Sequence, residues 1–468
     1  MCGIVGISGL PDAARLAYLA LYALQHRGQE SAGIATIDGN GVPHLHRAMG
    51  LAAELFTEDV LAGLPGDLAV GHTRYATMGS TVLANAQPIL ANYRDGPLAI
   101  AHNGNLTNAS LIRDELVRDG SLFNSSSDTE VIVHLIARSR ARDPESRIRE
   151  ALQRVEGAYS LVLSIGRALY AIVDPHGFRP LVVGRLGQGA VVASETCALD
   201  LLGATLVREL EPGAMVRLED GAITDLDPLP PVPNVHRCVF ELVYFSRPDS
   251  RVFGESVDRV RRELGRELAR EHPAHTGQVV FSVPDSANAM ALGYSEVSGI
   301  RLEHGLIRNH YVGRTFINPT QALRVAKVKI KFNPVREVIQ GRSVVVVDDS
   351  LVRGTTSRGL VRMIRGAGAR EVHLRIASPP IVGPCHYGID TPTREELIGA
   401  THSVSEIREF LGVESLGYLS LAGMLTAAAG GGGTARFCHA CFSNRYPIPV
   451  ADDLVSLRHA TPLPAGKP

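Results

Sequence analysis

Tryptophan is absent from this chain of 468 residues, and aromatic residues make up only 5% of it. So few rings leave little with which to stack bases, and a platform for single-stranded nucleic acid is not indicated. An excess of either charge is missing too: 47 Lys and Arg stand against 48 Asp and Glu, a net charge of -1. No bulk field draws the chain to nucleic acid or to an anionic membrane. Long apolar runs are also lacking. The longest charge-free stretch, residues 415–435, contains Tyr418, Ser420 and four consecutive glycines. It is a poor membrane span and reads as a helix followed by a loop. The first residues show no basic segment leading into an apolar one, as a secretory signal would, so a cytoplasmic protein is expected. Cysteine is sparse, at six residues: Cys2, Cys197, Cys238, Cys385, Cys438 and Cys441. In a reducing compartment such thiols point to metal binding or catalysis rather than disulfides.

What is present organises itself around residues 344–357, VVVVDDSLVRGTTS. Four β-branched residues in a row suit a strand buried on both faces, as in a parallel sheet. Asp348 and Asp349 follow at once, then a loop with Gly354, Thr355, Thr356 and Ser357. Leu360, Val361 and Ile364 offer an apolar helical face, and Val372, Leu374 and Ile376 alternate as the next strand. This is a βαβ unit whose polar loop feeds a helix N-terminus, where backbone N–H groups and the dipole favour a phosphate. An acid pair does not attract phosphate, so it points to a sugar diol or a metal. A capped helix after a buried strand, with solvated acids, is the plainer alternative. No Gly-Lys-Ser/Thr is present, so this is not a Walker loop.

The stretch resembles the phosphoribosyl pyrophosphate (PRPP) signature of type I phosphoribosyltransferases. That resemblance implies that Asp348 and Asp349 grip the ribose hydroxyls. It also implies that Ser350, Arg353, Gly354, Thr355, Thr356 and Ser357 take the 5′-phosphate.

The chain opens MCGIVGISG. Removal of Met1 would leave Cys2 N-terminal, with its own α-amino group as a base beside the thiol. Ile4, Val5 and Ile7 read as a strand, and residues 16–24 as an amphipathic helix. Polar clusters follow at Gln25-His26-Arg27-Gly28, Gly71-His72-Thr73-Arg74, His102-Asn103-Gly104-Asn105 and Ser127-Asp128-Thr129-Glu130. Clusters at element ends are where a β-rich enzyme keeps its site. Taken singly, Arg74 could be a surface ion pair and Asn103-Gly104 a hairpin turn. His26 and His72 read as packed or hydrogen-bonded rather than catalytic.

Together these segments resemble the N-terminal-nucleophile glutamine amidotransferase domain, over about the first 230 residues. The resemblance implies that Cys2 attacks the glutamine side-chain amide. Arg74 would pair with the substrate carboxylate, and Asp128 would bind its ammonium. The Asn103 side chain and Gly104 N–H would form the oxyanion hole.

Residues 157–165, 168–173, 181–183 and 191–193 read as strands completing a two-sheet sandwich, with turns at 174–177 and 194–196. Cys197 opens a small apolar helix and reads as buried. The proline-rich run 228–233 is a stiff connector. It sets the expected boundary between a first domain, 2–233, and a second, 234–450, followed by a mobile tail, 451–468.

In the second half, residues 257–270 read as a helix. Residues 279–283 form a strand ending in Pro284-Asp285-Ser286, suited to a tight loop near pyrophosphate and its metal. Residues 311–316 lead into Lys327, Lys329 and Lys331, either a solvated loop or a lid over pyrophosphate. Cys438-His439-Ala440-Cys441 is a Cys-x-x-Cys pair. With Cys238 and Cys385 it could hold zinc or an iron–sulfur cluster, and alone it could be redox-active. Ala427–Ala429 with Gly430–Gly433 look like a flexible insertion before that pair.

From Cys238 onward the chain resembles the transferase domain of the amidophosphoribosyltransferases in their cluster-bearing form. By that resemblance Cys238, Cys385, Cys438 and Cys441 ligate a 4Fe–4S cluster. Mg²⁺ sits at Ser286, Asp348 and Asp349, and Lys327 reaches PRPP. Expected is an α+β N-terminal-nucleophile sandwich of αββα layers, then an α/β type I phosphoribosyltransferase domain with a central parallel sheet. The implied reaction takes glutamine, PRPP and water to 5-phosphoribosylamine, glutamate and pyrophosphate, opening purine nucleotide synthesis. Purine nucleotides would be feedback inhibitors of a homotetramer, with neither nucleic acid nor membrane as partner. A glucosamine-6-phosphate synthase would instead need sugar-isomerase domains. A PRPP-sensing regulator would have no use for Cys2, Arg74, Asn103 and Asp128.

Overall fold

The chain begins as a strand because residues 3–8 combine β-branched side chains with glycines small enough to pass under neighbouring strands. The computed structural model describes residues 1–75, 81–309, 330–430 and 433–448. Its first part is two stacked antiparallel sheets. The strands, in chain order, are β1 (Gly3–Ser8), β2 (Ser31–Ile37), β3 (Pro43–Met49), β4 (Leu68–Arg74), β5 (Ile89–Tyr93), β6 (Gly96–Leu106) and β7 (Gly157–Ile165). They continue as β8 (Ala168–Val173), β9 (Val182–Leu186), β10 (Gly189–Ala193), β11 (Thr205–Glu209), β12 (Met215–Glu219) and β13 (Ala222–Asp225). One sheet has seven strands in the order β11-β9-β10-β1-β4-β2-β3; the other has six, β13-β12-β8-β7-β6-β5.

Three apolar layers hold this part together. Ile4, Val70, Ala101, Val162 and Val192 pack between the sheets. The helix Ala13–Ala23 lays Ala17, Ala20 and Leu21 on the outer face of the first sheet. Helices Ala109–Arg118, Thr129–Arg138 and Pro144–Leu152 cover the second sheet with Leu116, Ile132, Ile136 and Ile148. The layer order is αββα, as expected from the sequence.

The second part is built on a parallel sheet of four strands in the order Val279–Ser282, Ser343–Asp348, Glu371–Ile376, Ser415–Tyr418. The valine run occupies an inner position, and its residues alternate between two cores. Val345 and Val347 pack with Val260, Leu264, Met290 and Tyr294, whereas Val344 and Val346 pack with Leu360, Ile364, Ile407 and Leu411. Burial on both faces is why the run carries no polar residue. The three alanines read as part of an insertion belong instead to the helix Leu421–Ala429, where all three are buried, and Gly430 caps it in the left-handed region at φ +55°. The remainder of that glycine run includes residues 431–432, outside the described residues. Among the described residues, no helix is long and apolar enough to cross a membrane.

Candidate active sites

Antiparallel pairing delivers the first site. β1 pairs with β4 so that Gly3 lies opposite Thr73, which sets Arg74, the last residue of β4, beside Cys2. The facing sheet brings β6, and the Cys2 N–H donates to Asn103 Oδ1 at 3.1 Å. The Cys2 thiol lies 3.8 Å from the Tyr75 carbonyl. Asn103 is fully buried, and its Nδ2 has no partner. Leaving a buried amide donor unpaired costs stability, and beside a thiol such a donor is available to a developing negative charge. Asn103 and Gly104 are not a hairpin turn: both sit within the eleven-residue strand β6, paired with Ser160 and Tyr159. Gly104 holds φ +156°, and a Cβ there would lie 1.9 Å from the Ala158 carbonyl oxygen.

Arg74 is not at the surface either. It is only 5% exposed, 3.6 Å from Glu30. Asp128 precedes the helix Thr129–Arg138 and accepts from the Leu106 N–H at 2.9 Å. Burial favours the neutral acid, but His102, together with the Leu106 and Thr129 N–H groups, holds Asp128 below the usual carboxylate range. Asp128 is therefore anionic, as recognition of an ammonium requires. His72, fully buried and 3.2 Å from the His102 carbonyl, is pushed down to about 3 by burial and by Arg74. It is a neutral packing group. Ala76 and Thr77, which follow this motif, lie outside the described residues.

The second site lies where parallel strands end and ligands gather in open α/β sheets. Asp348 ends its strand, and the Asp349 N–H donates to Asp348 Oδ1 at 3.0 Å. Ser350 Oγ donates to Asp349 at 2.7 Å. Ser286, carried by the loop after the neighbouring strand, donates to the other Asp349 oxygen. Three of the expected groups therefore meet at one point. Burial raises both acids above the ordinary range, and the pair's mutual repulsion adds to it at Asp348, where the Lys331 charge works the other way. Two buried, repelling carboxylates invite a cation. Gly354 takes the left-handed conformation at φ +72° and starts the helix Thr355–Gly366, placing Thr355, Thr356 and the buried Ser357 in its first turn. Arg353 is exposed and pairs with Glu396 at 3.1 Å. Lys327, Lys329 and residues 311–316 lie outside the described residues.

Four cysteines from distant segments line one cavity with Phe178, Arg179, Tyr387, Ile389 and Ala440: Cys238, Cys385, Cys438 and Cys441. Cys238 and Cys438 are partners on two short parallel strands. Tyr387 N–H donates to Cys385 Sγ at 3.4 Å. All are free thiols. Burial pushes Cys238 up to about 11, and burial with the neighbouring thiols raises Cys438 and Cys441. Cys197 stands apart from this group, buried and raised to about 12. Among the described residues no three His, Cys, Asp or Glu side chains converge as one metal ion would require.

Several residues that shape these sites were not readable as such from the sequence. Glu195, which sits in what reads as a plain turn, is fully buried. It accepts from His26 at 2.7 Å, Ser250 at 2.6 Å and the Arg247 N–H at 2.9 Å, and it pairs with Arg27. Arg27 also pairs with Glu241 at 2.6 Å, and Glu241 lies 3.3 Å from Arg179. This buried ion network joins the two halves beside Met1, whose sulfur Arg179 contacts. His102, adjacent to Asn103, braces Asp128. Only the placement of Arg27 and His102 inside polar clusters hinted at these roles.

Residues 72–201 match the glutamine amidotransferase domain family. The chain is 51% identical over 455 residues to amidophosphoribosyltransferase 2, chloroplastic, of Arabidopsis thaliana, covering 97% of this chain and 80% of that one. It is 46% identical over 460 residues to the amidophosphoribosyltransferase of Bacillus subtilis, covering 97% and 95%. Among solved structures it resembles the glutamine PRPP amidotransferase from B. subtilis complexed with ADP and GMP, with a TM-score of 0.90 and 45% identity over 97% of this chain and 98% of that one. Likeness at this level extends over nearly the whole chain, and this chain belongs to the amidophosphoribosyltransferase family.

Proposed function

We propose that the two sites perform halves of one reaction. The chain is a glutamine PRPP amidotransferase. It takes glutamine, PRPP and water to 5-phosphoribosylamine, glutamate and pyrophosphate, the first committed step of purine synthesis. The observation that carries this reading is the Cys2 N–H on Asn103 Oδ1 with the Asn103 amide donor left open, in a chain that also holds the Asp348–Asp349 pair. Residues 2–233 are the glutaminase domain and residues 234–450 the transferase. The tail, 451–468, lies outside the described residues.

Removal of Met1 makes the Cys2 nitrogen the terminal amine. The amine now at Met1 is buried and pushed down to about 6, with Arg179 and Arg27 adding to the effect and Cys2 opposing it. The Cys2 nitrogen, whose N–H donates to Asn103 Oδ1 at 3.1 Å, is then the amine beside the thiol and, in its neutral form, can take the thiol proton. The thiolate attacks the glutamine amide carbon. Asn103 Nδ2–H and Gly104 N–H then stabilise the oxyanion, while Arg74 and Asp128 hold the substrate's carboxylate and ammonium. Ammonia leaves, and water hydrolyses the glutamyl thioester to glutamate. The ammonia attacks the ribose carbon of PRPP as the bond to pyrophosphate breaks, with Asp348 and Asp349 favouring the positive sugar. Ser350, Arg353, Gly354, Thr355, Thr356 and Ser357 take the 5′-phosphate, and Lys327, outside the described residues, would contact PRPP. Ser286, Asp348 and Asp349 would hold Mg²⁺, which would offset charge on the departing pyrophosphate.

Glutamine labelled with heavy nitrogen at its side-chain amide tests the coupling. In the presence of excess unlabelled ammonia, the labelled atom is expected in the phosphoribosylamine formed. Complete dilution by the solvent ammonia would sink the two-site reading.

The four clustered cysteines belong to the same reading as ligands of a 4Fe–4S cluster. Four thiols around one cavity, three of them buried, suit a group whose irons occupy separate corners. The N–H on Cys385 Sγ is the kind of bond that tunes such a cluster. A brown, oxygen-sensitive protein with about four iron per chain is expected. A colourless protein with stoichiometric zinc would overturn this part. Free thiols throughout fit a cytoplasmic setting. Feedback inhibition by purine nucleotides and a homotetrameric assembly complete the proposal.

A further inference from the structure

We propose that the loop 385–388 of the second domain walls the oxyanion hole of the first, and that Gly388 and Asn105 are positioning residues for attack on glutamine. This rests on the glutaminase reading above. Gly388 holds φ +106°, and a Cβ there would lie 2.8 Å from the carbonyl carbon of Gly104 and 2.9 Å from its Cα and oxygen. The two backbones touch with nothing between them. One residue along β6, Asn105 Nδ2 donates to the His386 carbonyl at 2.9 Å. Arg179, buried in the first domain, donates from Nε and Nη2 to the Tyr387 carbonyl at 3.1 and 2.6 Å. The Tyr387 ring stacks on Phe178 with centroids 4.5 Å apart. The carbonyls of His386 and Tyr387 are thus both held by the first domain, and Gly388 is pressed onto Gly104.

Gly104 is backed on its other side as well. The position of a Cβ would lie 1.9 Å from the Ala158 oxygen and 2.8 Å from His102 Nε2. A glycine is free to rotate, and a donor that rotates does little for an oxyanion, because the benefit comes from preorganisation. Ala158 and His102 restrict Gly104 from one side and Gly388 from the other. Its Cα, the pivot from which the preceding peptide aims the N–H, is thus held against a segment of the other domain. Glutamine cleavage is therefore contingent on the docking of loop 385–388, whereas the PRPP site, at the C-terminal end of an inner strand of its own sheet, draws on none of these contacts.

The test uses the full-length enzyme and two variants. Gly388→Ala pushes a methyl into Gly104. Asn105→Leu removes the amide donor without altering any backbone and guards against misfolding of the first. Each is expected to lower kcat with glutamine by about 10- to 100-fold, the cost of a small misplacement of a catalytic group. KM for glutamine, set by Arg74 and Asp128, and the ammonia-dependent rate should stay within about twofold of the parent. Affinity for glutamate γ-semialdehyde, whose carbonyl adds to the Cys2 thiol as a tetrahedral adduct, should fall by the same factor as kcat. Parallel loss of the glutamine- and ammonia-dependent rates, or parental affinity for the semialdehyde in both variants, would overturn the proposal. Glutamine-dependent turnover persisting in Cys2→Ala would instead overturn the glutaminase reading beneath it.

Discussion

Cys2→Ala is expected to abolish glutamine-dependent formation of phosphoribosylamine, by roughly 10⁴-fold or more, while ammonia at high concentration still supports the reaction. The size follows from removing the nucleophile itself, which loses the covalent route rather than weakening one contact. Retention of the ammonia reaction follows from the distribution of residues. Among the described residues, the partners of Asp348, Asp349 and Ser286 do not include Cys2, whose neighbours are Asn103, Tyr75 and Arg74. Assay with each nitrogen donor, at saturating PRPP, separates the two. Failure of the ammonia reaction with PRPP binding intact would mean that the sites are not independent in the way the fold implies.

Asp349→Asn should produce the complementary pattern, a loss with both nitrogen donors on the order of 10²–10³-fold, as when one strong electrostatic contact to a transition state is removed. The substitution keeps the shape and one acceptor oxygen for Ser286 or Ser350. What it removes is a charge. Burial, with repulsion between the two carboxylates, makes ionising both unfavourable in the free protein. Replacing one with a neutral amide relieves that repulsion, so the melting temperature of the ligand-free variant should hold or rise as activity falls. A variant that loses activity and melts markedly lower would point to a structural role for Asp349. This opposition between function and stability is the mark of a site built to receive charge rather than to support the fold.

Much of the second candidate site was legible because its residues are local in the chain. The valine run, acid pair and hydroxyl loop lie within residues 344–357, and each residue acts through backbone geometry that its neighbours impose. The valines had to be buried on both faces, and they are shared between two cores. The strand readings for 157–165 and 168–173 match the structure for the same reason: largely apolar runs bounded by turn residues leave few alternatives. Cys197 reads as buried and is buried. The alanines before the glycine run were misread because small residues beside glycine resemble a linker, whereas here they let a helix pack closely.

Partnerships across the chain were not legible. Asn105 meets His386 across 281 residues, and Arg27 meets Glu241 across 214. A polar side chain at either end carries no mark of a partner that distant. Glu195 shows the limit most plainly. In sequence it is a turn carboxylate, yet it lies fully buried, and burial alone would neutralise it. Arg27 and His26 instead hold it well below the ordinary carboxylate range. By itself the sequence determined the family and the candidate residues for the two half-reactions, because nucleophile, anion cradle and acid pair each need a particular residue type at a particular element end. Only the tertiary structure decided how the halves are joined. Desolvated charges and touching glycine backbones, Gly104 on Gly388, acquire their roles from what surrounds them in space, and spacing along the chain does not encode that.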